Sequence, residues 1–233
     1  HLTLKELGYN SNNVHQEIVE RLENKDIGWA YADQSMFNRK LHNLMSLRKQ
    51  IIKRPVITTV EVLVKPVSSK NDMFFTGFVH KPYPPIYLEL SRNAQFNSAT
   101  VIRGTEGGII PSLRQTGKVH FYHSAGEQDD YYDVTPEDLG IVQSSRAVDI
   151  PEEITRKNTK DKIESKVDAV DIAKETIKSG TSALSGNDGP MLSCIQLGAA
   201  IILQRATGND LGNCSKEVLR VLKSGAALKR MKR

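Results

Sequence analysis

Apolar and polar positions divide the chain into alternating helical and extended stretches. Val14, Ile18, Val19 and Leu22 form one stripe at helical spacing and predict a helix ending by Asn24. Asn13-Val-His-Gln16 before it has the form of a capping box. Ile27-Gly-Trp-Ala-Tyr31 reads as a short buried strand. A second helix is expected from Gln34 to Lys53, with Met36, Phe37, Leu41, Leu44, Met45, Leu47 and Ile51 inside, stopped by Pro55. Val56 to Val64 is β-branched and fits either a strand or a buried helical turn, which periodicity does not separate.

Met73 to Val79 is a strand after the Asn71-Asp72 turn. His80 to Pro85 is a loop, and Pro85 suits the first turn of a helix continuing from Ile86 to Gln95. Ser98 to Arg103 follows as an apolar, β-branched strand, so strand, helix and strand make a βαβ unit and imply a parallel pair. Lys118 to His123 is another strand, and Thr135-Pro-Glu-Asp138 a short capped turn. The polar segment 144–165 reads as a surface connection. Asp168 to Leu184 is amphipathic, and Gly186-Asn-Asp-Gly-Pro190 breaks the chain before a buried helix from Met191 to Arg205. Leu211 to Leu228 is the last helix, capped around Gly225. Together these elements predict one α/β domain over 1–233, a mostly parallel sheet with helices on both faces. Val101, Ile102, Phe75, Phe78, Val79, Ile195, Ala199, Ile202 and Leu219 are the expected core.

The central strand stops at Gly104-Thr-Glu-Gly-Gly108. A buried strand ending in a glycine-rich turn presents backbone N–H groups at a ligand crevice, or uses its glycines only for positive φ. Cys194 and Cys214 are too few for a disulfide framework or a zinc site, and Cys194 lies in an apolar helical run. A reducing compartment is therefore expected: cytoplasm, or an organelle interior after removal of a transit peptide. No apolar run approaches the ~18 residues of a membrane span, and no membrane partner is expected. Leu2, Leu4 and Leu7 before Gly8 read as the last turns of a helix, so an upstream portion is expected.

The net charge of +5 is unevenly placed. Arg39, Lys40, Arg48, Lys49, Lys53 and Arg54 fall in an acid-free block from Gln34 to Val60. The C-terminus closes on Lys229-Arg-Met-Lys-Arg233, whereas Glu127, Asp129, Asp130, Asp133, Glu137 and Asp138 form an acidic stretch. Basic blocks attract polyanions, or are solvated helix faces.

In this order the chain resembles the C-terminal α/β part of the anthranilate phosphoribosyltransferase-like (TrpD-like) family, within the group that includes the pyrimidine-nucleoside phosphorylases. The resemblance is carried by His42 to Arg48, Arg54 to Pro66, Gly77 to His80, Ala99 to Gly108, Thr135 to Ile141, Asp188-Gly-Pro190 and Ser224 to Leu228. It implies phosphoribosyl pyrophosphate and an aromatic acid or base as partners, with magnesium on the pyrophosphate. It also implies an N-terminal helical domain, through which a homodimer would form. By resemblance, Arg48 contacts the aromatic acid, and Arg103, Gly104, Thr105, Gly107 and Gly108 form the substrate turn beside it. The family's paired carboxylates fall here at Gly108-Ile109, leaving Glu106 as the remaining candidate magnesium ligand. The family's GTGGD, Asn-x-Ser-Thr and Lys-His-Gly-Asn-Arg segments are absent from these residues. Arg103-Gly-Thr-Glu-Gly-Gly108 and Thr59-Val-Glu-Val-Leu-Val-Lys-Pro66 are similar to a divergent branch of the family. Two functions are implied. One is pentosyl transfer, incomplete and inactive in these residues alone. The other is non-catalytic nucleic-acid binding through Arg39, Lys40, Lys49, Lys53 and Arg54.

Overall fold

The computed structural model describes residues 2–10, 14–51, 55–156 and 168–233. The N-terminal helices are α1 (Leu2–Glu6), α2 (His15–Glu23), α3 (Gln34–Phe37), α4 (Arg39–His42), α5 (Met45–Gln50) and α6 (Ile57–Val60). The βαβ unit is β1 (Met73–Phe78), α7 (Tyr83–Asn93) and β2 (Ser98–Arg103), followed by β3 (Gly117–Tyr122) and β4 (Asp130–Val134). The remaining helices are α8 (Glu152–Arg156), α9 (Ala169–Leu184), α10 (Pro190–Thr207), α11 (Leu211–Lys223) and α12 (Ala226–Met231).

The described residues form a four-stranded sheet in the order β1-β2-β3-β4. β1 and β2 are parallel, from Met73↔Ser98 to Phe78↔Arg103. β3 runs antiparallel to β2, and β4 antiparallel to β3. The sheet is thus mixed, which corrects the mostly parallel expectation. A helix of crossover length separates β1 from β2, whereas a loop and a hairpin join the later strands and so reverse the chain.

Helices cover both faces, as expected. On one face Tyr87 and Leu88 of α7 pack with Phe74, Phe78, Ala99, Val101 and Tyr122. Tyr122 donates to the Phe96 carbonyl at 3.1 Å and meets the Ser91 hydroxyl at 3.1 Å, so its buried phenol is satisfied. On the other face Cys194, Leu197 and Ile201 of α10 pack with Ile102, Leu113, Val119 and Val134. Tyr132 of β4 donates to the Gln204 side chain of α10, and burial pushes its phenol up to about 12. Ala183, Leu192 and Leu222 join α9, α10 and α11 in a third cluster.

Several local expectations fail for identifiable reasons. Residues 27–31 are not a strand; Trp29 instead stacks on Tyr9, and Arg21 lies over both rings. The helix expected over 34–53 is broken into α3, α4 and α5 within the described residues; positions 52–54 lie outside them. Asn38, with φ −140 and ψ 71, leaves the helical region and accepts from Leu41 N–H to start α4 anew. Met36, Leu44, Met45, Leu47 and Ile51 are consequently exposed, not core. The ambiguous 56–64 segment is helical, with Thr58, Thr59 and Leu63 buried. Asn13 lies outside the described residues; α2 is closed by Glu17, whose carboxylate accepts from Val14 N–H at 3.0 Å. α7 begins at Tyr83, two residues before Pro85.

Strand β4 is not foreshadowed by the sequence pattern. Its exposed Asp130, Tyr131 and Asp133 mask the inward Val134, as charges on an edge strand commonly do. The final helix is split by Gly225 at φ 69. Of the expected core, Val101, Ile102 and Phe78 are buried. Phe75, Ile195, Ala199, Ile202 and Leu219 are half-buried, and Val79 is exposed beyond the end of β1. In the connection 144–165, residues 144–156 hold short α8, and 157–165 lie outside the described residues.

The starts of the two parallel strands are tied by Asp72. Its carboxylate accepts from Lys65 Nζ at 2.9 Å and from Ser69 N–H and Oγ–H at 2.8 Å each. Its own N–H donates to Asn97 Oδ1 at 2.7 Å. The Lys65 hydrogen bond is the largest influence on Asp72 and, with Ser69, outweighs burial, holding the carboxyl below its ordinary value of 3.8. Stability from this group is complete above the ordinary value and lost as pH falls through the depressed one. Asp72→Asn is expected to cost about 1.5–3 kcal/mol at neutral pH, the range for hydrogen bonds to a charged group. The difference from the parent chain should be constant above pH ~5 and close on further acidification. Thermal unfolding from pH ~7 to ~3 reads this; a gap that stays open at acid pH contradicts the assignment.

Candidate functional site

The chain reverses where β1 and β2 end side by side. Past Arg103 it forms a tight turn, closed by Gly107 N–H to Gly104 O at 3.3 Å, Gly108 N–H to Thr105 O at 3.0 Å and Thr105 N–H to Ile110 O at 2.9 Å. Glu106 and Gly107 sit in the left-handed region, at φ 53 and 83. The turn folds back onto the end of β1. A Cβ on Gly77 would lie 2.1 Å from the Gly108 carbonyl oxygen, and one on Gly104 only 1.5 Å from it. The two glycines are therefore required by backbone contact, whatever else the turn does.

Two cavities flank the turn. The first, of about 150 Å³, is walled by Phe78, His80, Tyr83 and Tyr87, with Thr59 and Gly107 completing it. His80, Tyr83 and Tyr87 run as a ladder, with centroids 6.1 and 5.9 Å apart. The buried Thr59 arrives from α6. The His120 ring meets the slot residue Phe78 edge-on at 5.6 Å. Burial first, then Lys118, lowers the His120 pKa and keeps the imidazole neutral near pH ~7. An aromatic-walled slot lined by Thr59, His80 and the tyrosines Tyr83 and Tyr87 suits a flat ring. It offers no charged side chain for an acid.

The second cavity, of about 50 Å³, is polar and includes Arg103, Gly104, Thr105 and Arg146. The turn expected to act as one surface is thus divided. Arg103, Gly104 and Thr105 face one cavity, Gly107 faces the other, and the Gly108 carbonyl packs between the strand ends.

Arg48 lines neither cavity. Its guanidinium donates to both carboxylate oxygens of Glu61 at 2.7 Å, and both side chains are largely buried. The carboxylate on this arginine comes from the chain itself. Glu106 is exposed on the turn. Magnesium takes about six oxygens in tight octahedral geometry, and one exposed carboxylate does not supply them. Among the described residues no three or more His, Cys, Asp or Glu side chains converge to hold a metal. The donor set present does not fit a magnesium centre. Arg39 and Lys40 are exposed on α4; Lys49 is on α5, its side chain outside the description, as are Lys53 and Arg54. No described helix is long and apolar enough to cross a membrane.

Sequence reasoning missed Thr59, His80, Tyr83 and Tyr87 as cavity residues. The available signal was the ring-rich His80-Lys-Pro-Tyr83 directly after a strand, the place where open α/β sheets put ligands.

No family model matches the chain. An uncharacterized protein of Aquifex aeolicus (strain VF5) is 34% identical over 95 residues, 41% of this chain and 30% of that protein. The fold is shared with solved anthranilate phosphoribosyltransferases. TrpD from Thermus thermophilus superposes with a TM-score of 0.70 at 18% identity, over 97% of this chain and 60% of that one. The Saccharomyces cerevisiae enzyme, in complex with PRPP and Mg, superposes with a TM-score of 0.73 at 15% identity, over 99% of this chain and 60% of that one. The same yeast enzyme in complex with 4-fluoroanthranilate gives 0.73 at 14% identity, over 99% of this chain and 60% of that one. The chain thus spans about 60% of the length of these solved structures.

Proposed function

We propose that this chain is the α/β portion of an anthranilate phosphoribosyltransferase-like glycosyltransferase, and that pentosyl transfer requires residues outside these 233. One observation carries this reading: the aromatic slot opens where the parallel strands end, in a fold that follows these enzymes over nearly the whole chain. The slot takes the flat acceptor ring against Tyr83 and Tyr87. Arg48, already neutralised by Glu61, is freed for an acidic acceptor only if that pair opens. Phosphoribosyl pyrophosphate and its magnesium are held in the full-length protein by groups that these residues do not contain.

A second reading is a nucleic-acid-binding paralogue. Arg39 and Lys40 project from an acid-free surface helix, as a phosphate-tracking surface requires. The same two preparations test both readings. The 233-residue chain should give no phosphoribosyl-pyrophosphate-dependent loss of anthranilate fluorescence. The full-length gene product should give a magnesium-dependent loss, abolished by Arg48→Ala. Turnover by the short chain would contradict the proposal. So would an inert full-length protein that shifts single-stranded DNA in a salt-dependent way lost on Arg39→Ala/Lys40→Ala.

A further inference from the structure

A cavity of about 340 Å³ lies between the end of α1, α2, the 27–31 segment and α12, and shares no residue with either cavity at the turn. Leu4, Leu7 and Met231 wall it together with Tyr9 and Trp29. The two rings stack at 5.1 Å, and the Arg21 guanidinium lies over them, 5.1 and 5.3 Å from their centroids. Arg21 lines the same cavity and makes no side-chain hydrogen bond or ion pair among the described residues. Its Nε is buried and without a partner. Ring faces attract a cation but leave its terminal nitrogens without an oxygen acceptor. No acidic side chain lines the space. Lys232 and Arg233 are exposed at its edge, and Arg233 is neutralised by Asp26 at 2.9 Å. Arg21 and Lys232 thus leave positive charge beside an apolar wall.

The arrangement is fixed from several segments. α1 ends at Gly8, φ 77, where Gly8 N–H donates to Lys5 O and Tyr9 N–H to Leu4 O, both at 2.9 Å. This turn carries the Tyr9 ring onto Trp29. Tyr31 N–H then donates to the Tyr9 hydroxyl at 3.3 Å, and Gly28 N–H to Arg21 O at 3.2 Å. α12 is docked by Arg230 Nη2 to Lys25 O at 2.6 Å and by Trp29 Nε1 to Arg230 O at 3.5 Å. The rings and the arginine are therefore in place before any ligand arrives, which lowers the ordering cost of binding.

We infer that this cavity binds a linear aliphatic carboxylate, with its chain against Leu4, Leu7 and Met231 and its head on Arg21. The volume falls within the ~300–1,000 Å³ of small-molecule sites. A guanidinium forks onto a carboxylate, and because Nε is sealed off the two Nη groups make that contact. Lys232 adds attraction for an anion at the mouth. Tyr9 and Trp29 engage each other and Arg21, which leaves the three aliphatic side chains for the apolar body of the ligand. The site is separate from the slot walled by Tyr83 and Tyr87 and does not depend on transferase activity.

Trp29 is the single tryptophan of the chain, so intrinsic fluorescence reads this cavity directly. Titration of the 233-residue chain with octanoate should give a saturable change in its emission. Octanamide keeps the chain and loses the charge, and acetate at matched ionic strength keeps the charge and loses the chain. Each should bind at least about tenfold more weakly than octanoate. Arg21→Gln should reduce octanoate to the level of octanamide with an unchanged circular dichroism spectrum. Lys232→Glu, at an exposed side chain, should weaken octanoate severalfold and serves as the test should Arg21→Gln not fold. Octanoate that does not saturate, octanamide or acetate that binds equally well, or octanoate binding unchanged by Lys232→Glu or by a folded Arg21→Gln, overturns the inference.

Discussion

Gly104→Ala is expected to lower the thermal unfolding midpoint by about 6–12 °C. The added Cβ would fall 1.5 Å from the Gly108 carbonyl oxygen, inside covalent range of a backbone atom. Overpacking against side chains typically costs about 1–3 kcal/mol, because rotamers can yield. Here the obstacle is main chain, locked by the Thr105 N–H to Ile110 O hydrogen bond, so the upper end of that range is the minimum. For a protein of this size each kcal/mol lowers the midpoint by about 2–4 °C. The φ of Gly104 is −92, so the cost is steric and not conformational. Gly126→Ala is the control: its Cβ would meet nothing within 4 Å, and its midpoint should not fall. A Gly104→Ala protein as stable as Gly126→Ala would show that the turn does not fold onto the strand ends as described.

The second large effect is expected at Leu197→Ala. Leu197 is fully buried and packs from α10 into the cluster holding Ile102, Val119 and Val134. Removing a buried leucine side chain costs about 2–5 kcal/mol, the transfer term plus the cavity left behind. Denaturant unfolding with an unchanged m-value should report a loss in that range. Val142→Ala, at a residue 79% exposed, should stay within about 0.5 kcal/mol of the parent. If the two variants are equally stable, α10 does not seal the second face of the sheet. The mixed topology makes this contact important: a loop and a hairpin bring β3 and β4 in antiparallel beyond β2, and α10 packs on Ile102, Val119 and Val134 from all three strands in one apolar layer.

Much of this fold was legible because several elements carry strong local signals. Met73–Phe78 and Ser98–Arg103 are short β-branched or aromatic runs bounded by turns, and α10 is apolar on most sides behind Gly189-Pro190. These patterns made strand, helix and strand readable, and with them the parallel pairing of β1 with β2. The order of motifs along the chain also carried the resemblance, which the fold comparison bears out.

Other features depended on contacts between residues far apart in sequence. The apolar stripe from Met36 to Ile51 reads as a buried helix face, but Asn38 breaks the helix and most of the stripe is left exposed. Strand β4 forms because β3 offers it an edge; its own Asp130 and Asp133 argue against a strand. The resemblance implies Arg48 as a cation for an acidic ligand, whereas folding brings both carboxylate oxygens of Glu61 onto its guanidinium. Sequence by itself determines which side chains exist and the local preference of each segment. Whether a charge is free, paired or aimed into a cavity depends on neighbours supplied by the fold. Thr105, Arg103 and Arg146 illustrate the difference. The first two share a turn visible in the sequence, but only the backbone bond from Leu113 to Arg146 brings the third beside them.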